Sequence, residues 1–128
     1  MSRLRVISGS AGGLLLKSPK RHELRPTQDR IRQVIFSSLA ECIPGARVLD
    51  LFAGTGSIGI EALSRGAASA VFVEQAREAV DCIRDNLRHC RLDGGEVRQG
   101  DALAYLAEPG EPFDLILPIL RTIKGEER

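Results

Sequence analysis

The chain has little that marks a specialised environment. Among 128 residues there is no tryptophan, one tyrosine and one methionine, and aromatic residues make up only 4%. No apolar run approaches the roughly 18 residues a membrane span needs. The start, Met1-Ser2-Arg3-Leu4-Arg5, is charged without a long apolar stretch, so no secretory signal is visible and the expected compartment is the cytoplasm. Cysteine is scarce and odd in number: Cys42, Cys82 and Cys90, with no Cys-x-x-Cys pair. That pattern argues against a disulfide framework and against zinc. His89 beside Cys90 lacks a full ligand set, so it reads as an ordinary surface or core pair and no metal is expected. What remains, 43% hydrophobic and 27% charged residues, is the composition of one globular domain with a real core.

A net charge of +1 hides an asymmetry. Residues 1–32 carry eight Lys/Arg (Arg3, Arg5, Lys17, Lys20, Arg21, Arg25, Arg30, Arg32) against Glu23 and Asp29. The remainder carries ten cations against fifteen acids. A basic end on a nearly neutral chain reads as a phosphate-facing surface, and these eight cations are the expected nucleic-acid contacts. The plainer alternative is a solvated basic arm.

Residues 3–8 alternate polar and apolar, and Gly9, Gly12 and Gly13 precede Leu14-Leu15-Leu16. This predicts an N-terminal β-hairpin. Pro19 to Pro26 reads as a polar loop. Thr27 is the expected N-cap of a helix whose apolar face is Ile31, Val34, Ile35, Ser38/Leu39 and Cys42, ended by Pro44-Gly45. From residue 46 strands and helices alternate: strand 47–51, helix 57–65 closed by Gly66, strand 70–74, helix 76–90, strand 96–99, helix 102–106, strand 113–117. Such alternation predicts right-handed βαβ units, a parallel sheet and an α/β fold. Strand 113–117 reads as buried, yet nothing later covers it. Its open edge invites pairing with another chain.

The segment Asp50-Leu51-Phe52-Ala53-Gly54-Thr55-Gly56-Ser57-Ile58-Gly59 lies between a strand and a helix. Its glycines allow a sharp turn and close approach of backbone to a ligand. Glu74 ends the next strand, 20 residues beyond Gly54, where nucleotide-binding folds place a carboxylate on ribose hydroxyls. Asp50 opposes a pyrophosphate but suits an ammonium group, which favours S-adenosylmethionine over a dinucleotide. Asp101 is then a partner for the adenine amino group, with Ala102 supplying a backbone contact. Each acid also has a plain reading: Asp50 bonded to turn N–H groups, Glu74 as a helix N-terminal acid, Asp101 as an N-cap.

The combination resembles the RsmD-type methyltransferases, which methylate a guanine N2 of 16S ribosomal RNA with S-adenosylmethionine. The resemblance runs from Arg5 to about Leu117. It rests on Arg5-Val6-Ile7-Ser8-Gly9, Leu24-Arg25-Pro26-Thr27, Asp29-Arg30-Ile31-Arg32, the glycine loop after Val48-Leu49, Gly59-Ile60-Glu61-Ala62-Leu63-Ser64-Arg65-Gly66-Ala67, Phe72-Val73-Glu74, Asp101-Ala102 and Phe113-Asp114-Leu115-Ile116. It implies a Rossmann-like class I methyltransferase fold with an N-terminal hairpin and helix (residues 1–45), a cofactor-binding core (46–117) and a divergent tail (118–128), the sheet being incomplete after its fourth strand. It further implies that Asp50, Phe52, Ala53, Gly54 and Gly56 form the cofactor loop, that Glu74 holds the ribose and that Asp101 and Ala102 meet the adenine. The hairpin and Arg25–Arg32 are expected to meet ribosomal RNA or the small subunit.

One departure stands out. The family's fourth strand leads into Asp-Pro-Pro-Tyr, which holds and stacks the target base. Here Leu117 is followed by Pro118-Ile119-Leu120-Arg121, and Asp114 stands at the wrong end of the strand. No catalytic residue is assigned, and weak or no methyl transfer is expected. A non-catalytic S-adenosylmethionine- or RNA-binding module is the alternative. An NAD-dependent oxidoreductase is disfavoured by Asp50.

Overall fold

The computed structural model describes residues 4–18, 26–51 and 53–117. The elements run α1 (Pro26–Ser38), β1 (Arg47–Leu51), α2 (Ser57–Ser64), β2 (Ser69–Glu74), α3 (Arg77–His89), β3 (Gly95–Gln99), α4 (Ala102–Ala107) and β4 (Leu115–Ile116). The four strands form one parallel sheet in the order β3-β2-β1-β4. Stepping outward from β1 in both directions creates a switch point between β1 and β4. In such sheets ligands bind beyond the carboxyl ends of the strands at that point.

Alternation along β1 and β2 sorts side chains onto two faces. Val48, Ala70 and Phe72 join the larger core with Ile60, Leu63 and Ile83 of α2 and α3. Leu49, Leu51, Val71 and Val73 face the other way and pack with Ala102, Tyr105 and Phe113. Fully buried Phe72, Ile60 and Ile83 each contribute roughly 1.5–3 kcal/mol relative to exposure. Gly59 lets α2 lie on the sheet, since a Cβ there would sit 2.4 Å from the Phe72 ring.

The N-terminal segment folds back on itself as expected. Arg5 and Leu15 form an antiparallel bridge, flanked by Val6 N–H to Leu14 O (3.0 Å) and Leu16 N–H to Leu4 O (2.9 Å). Leu4, Val6, Ala11 and Leu16 enter the same core as Phe36 and the sheet. The anchor is Glu61 of α2, fully buried. Its carboxylate accepts from Ile7 N–H (2.8 Å), Ser8 N–H (3.0 Å) and Arg65 Nε (2.8 Å). Ser64 adds a hydroxyl that donates to Ser8 O (2.6 Å) and accepts from Ala11 N–H (2.9 Å).

Expectations for α1 and β4 are corrected. Thr27 does not cap α1; the helix already includes Pro26, whose fixed φ and missing N–H suit a first turn. The helix ends at Ser38, and a turn with Cys42 N–H bonded to Leu39 O precedes Pro44. Its buried face is centred on Arg32 and Phe36, while Val34 is 58% exposed and Cys42 is exposed. The face is set by the Glu61 anchor and not by apolar spacing alone. Strand β4 is shorter than 113–117, although Asp114 N–H to Arg47 O and Leu117 N–H to Leu49 O (2.8 Å each) extend its pairing. Ile116 is half-exposed, so the strand is not fully buried.

Cys82 and Cys90 are buried free thiols. Among the described residues no cluster of metal-ligating side chains occurs, and no helix is long and apolar enough to cross a membrane.

Candidate cofactor site

Three parallel strands bring three acids to one edge of the sheet. Asp50 is opposite Phe72, and Glu74 is opposite Gln99, two residues before Asp101. Asp50 and Glu74 point to the α2/α3 face, because they continue the alternation of Val48 and Phe72.

The loop between β1 and α2 is built from positive-φ glycines. Gly54 (φ 59°) and Gly56 (φ 80°) adopt backbone that residues with a Cβ resist. Ala53 N–H bonds to Val73 O (3.0 Å), and Gly56 N–H returns to Ala53 O (2.8 Å). Glu74 clamps this turn. Its Oε1 accepts from Gly54 N–H (2.8 Å) and its Oε2 from Ala76 N–H at the start of α3 (3.0 Å). The plain reading of Glu74 as a helix N-terminal acid therefore holds beside any contact with a ribose.

Asp50 is completely buried. Its Oδ2 accepts from Gly59 N–H (3.0 Å), while Oδ1 has no hydrogen-bond partner among the described residues. Burial pushes its carboxyl well above the usual range; the Gly59 N–H opposes this, and the neighbouring charge of Glu74 raises it further. An unpartnered carboxylate oxygen in a buried, acid-rich corner is a costly arrangement without a cation. A ligand bearing an ammonium or sulfonium centre compensates it; a pyrophosphate aggravates it.

Asp101 is exposed and caps α4, its Oδ2 accepting from Ala104 N–H (2.9 Å). Oδ1 meets Gln75 Nε2 at 3.4 Å. Ala102 turns its side chain into the core beneath β1 and β2. Ala53 is buried, and Phe52 lies outside the described residues.

The expected RNA contacts divide. Arg5, Lys17 and Arg30 are exposed. Arg5 bonds Gly13 O (3.1 Å), and Lys17 Nζ pairs with Asp85 (3.5 Å). Arg32 is 4% exposed, with Nη2 donating to Arg5 O (2.7 Å) and Nη1 3.8 Å from Glu61. It holds the hairpin against α1 instead of presenting charge to solvent. Arg3, Lys20, Arg21 and Arg25 lie outside the described residues.

Sequence reasoning missed Asn86. It is buried in α3, and its amide accepts from Lys17 N–H (2.8 Å) while donating to Lys17 O (3.0 Å) and Thr55 O (3.3 Å). The available signal was one polar residue within the apolar stripe of Ala79, Val80, Ile83 and Leu87.

The family model Conserved hypothetical protein 95 matches residues 4–118. Ribosomal RNA small subunit methyltransferase D of Escherichia coli K12 is 38% identical over 89% of this chain and 58% of its own length. The chain thus spans about three fifths of that curated relative. The solved yhhF protein of Escherichia coli superposes with a TM-score of 0.82 at 37% identity, over 90% of this chain and 63% of that one. An O-methyltransferase of Bacillus cereus in complex with SAH superposes at 0.60 with 26% identity, over 84% of this chain and 52% of its own.

Proposed function

For a chain that belongs to the Conserved hypothetical protein 95 family, the RsmD family, we propose a role as an S-adenosylmethionine-dependent methyltransferase of small-subunit ribosomal RNA, acting on a guanine N2 amine. The observation that carries this reading is the buried Asp50 with one oxygen unpartnered, beside Glu74 and a glycine loop. In this assignment Asp50 takes the cofactor's ammonium group. Ala53, Gly54 and Gly56, together with Phe52, line the cofactor. Glu74 fixes the loop and faces the ribose, and Asp101 and Ala102 border the adenine.

Bound S-adenosylmethionine supplies an electrophilic methyl on sulfur. The chain's own part is to hold that methyl in line with an amine lone pair and to exclude water, which is chiefly a matter of positioning. Cations at Arg5, Lys17 and Arg30, and those at positions 3, 20, 21 and 25, supply the phosphate-facing charge. The ribosomal substrate and a cytoplasmic setting follow from the same reading. Residues 1–45 then serve as the RNA-facing part and 46–117 as the cofactor core.

The test is methyl transfer from labelled S-adenosylmethionine to unmethylated small-subunit particles, with the modified base mapped. Label on a guanine N2 supports the proposal; label elsewhere overturns the base assignment. Cofactor binding without turnover favours a second reading, a non-catalytic binding module. The sequence Pro118-Ile119-Leu120-Arg121 after β4, in place of Asp-Pro-Pro-Tyr, is the specific feature behind it.

A further inference from the structure

Asn86 joins three elements that a simple helix residue has no need to join. One face of its amide pairs with both backbone groups of Lys17, as a strand neighbour would: Oδ1 receives Lys17 N–H at 2.8 Å, and Nδ2 reaches Lys17 O at 3.0 Å. The second Nδ2 proton points to Thr55 O at 3.3 Å, between the two positive-φ glycines of the cofactor loop. Donors and acceptors match in only one orientation of the amide, since a flip sets NH2 against N–H and oxygen against two carbonyls. The residue is 1% exposed, so the amide has no free space in which to turn. Cys82, one helical turn earlier, adds an Sγ contact to Lys17 O at 3.2 Å. Burial first and Asp85 nearby push this thiol up from its ordinary value.

The hairpin that ends at Lys17 also displays the exposed cations Arg5 and Lys17. We infer that Asn86 is a positioning residue that couples the cofactor loop to this cationic hairpin, so that filling the cofactor site and binding RNA reinforce each other. The inference rests on the cofactor reading proposed above. Its physical basis is linkage. A ligand that holds the backbone around Thr55 in place strengthens the hydrogen-bonded chain from Thr55 O through the Asn86 amide to Lys17, so Lys17 stays docked. Local opening of the hairpin, which breaks both Lys17 bonds, becomes rarer in the liganded protein. By reciprocity, RNA that engages the docked hairpin raises cofactor affinity by the same factor.

The Lys17 amide proton reports on this contact directly. Its hydrogen exchange is measured by NMR in the full wild-type chain, free and saturated with S-adenosylhomocysteine, with saturation verified by calorimetry. Slowing by about fivefold or more is expected, the low end of typical coupling. In parallel, the Kd for a small-subunit rRNA fragment is measured with and without S-adenosylhomocysteine. The wild-type ratio should be about fivefold or more, and Asn86→Ala should bring it to about one. A purely structural role would weaken both affinities and leave the ratio unchanged. Should Asn86→Ala fail to fold, the wild-type exchange result decides alone. Lys17 exchange indifferent to a ligand that calorimetry shows bound overturns the coupling and leaves the cofactor reading standing. Absence of any S-adenosylhomocysteine binding removes both.

Discussion

Asp50 shows how a proposed ligand-binding group and a destabilising group coincide in one residue. Its carboxyl is raised by burial, so folding favours the protonated form. A raised pKa in the folded state means that stability from this group is full below the unfolded value and is lost as pH rises through the folded one. Asp50→Asn should therefore melt at a higher temperature than the parent near pH 7, in the absence of ligand. The gap should close as pH falls toward about 4, the unfolded carboxyl range, which paired thermal melts will check. The same substitution should weaken S-adenosylmethionine binding by roughly 10–100-fold, since an NH2 group replaces the oxygen that meets the ammonium. Asp50, Gly54, Gly56 and Glu74 were legible in the sequence because strand, turn and acid are local in spacing. Glu61 and Asn86 were not, because the hairpin backbone they hold, at residues 7, 8 and 17, lies 53 to 69 residues away. Only tertiary packing converts a polar residue on a helix into an anchor.

At the scale of elements, α2 serves two neighbours. Through Gly59 it lies against Phe72, and through Glu61 and Ser64 it grips the hairpin. Gly59→Ala gains helix propensity of about 1 kcal/mol but sets a methyl 2.4 Å from a fully buried ring. The net effect expected is a loss of about 1–3 kcal/mol in urea unfolding. Glu61→Ala is expected to be worse, about 3–5 kcal/mol, because it takes a carboxylate from buried Arg32 and from two backbone N–H groups. Hydrogen exchange should show residues 4–16 opening before the sheet in that variant. The parallel order of strands and the helices between them were readable from alternation and glycine punctuation. The rotation of α1 was not: a buried arginine at position 32 contradicts any rule that places cations outside, and Glu61 and Arg5 O are what receive it.

For the molecule as a whole, charge separation and fold agree. Exposed Arg5, Lys17 and Arg30 lie in the basic N-terminal third, while Asp50, Glu74 and Asp101 stand at the sheet's carboxyl edge. Binding to a small-subunit rRNA fragment should fall steeply with salt. Arg5→Ala and Lys17→Ala should each weaken it regardless of base sequence and reduce the salt slope by about 0.7–0.9 for each phosphate no longer neutralised. Arg32→Ala should instead lower stability, with the slope preserved in whatever remains folded.

All of this depends on whether the buried acid corner receives a sulfonium-bearing nucleoside. Titration calorimetry of the chain with S-adenosylmethionine, beside Asp50→Asn and beside NADH, measures that most directly. One saturable site in the parent, strongly weakened in a folded Asp50→Asn and silent toward NADH, is the result expected. A folded parent that takes up no S-adenosylmethionine, or an Asp50→Asn that binds it as well as the parent, contradicts the account.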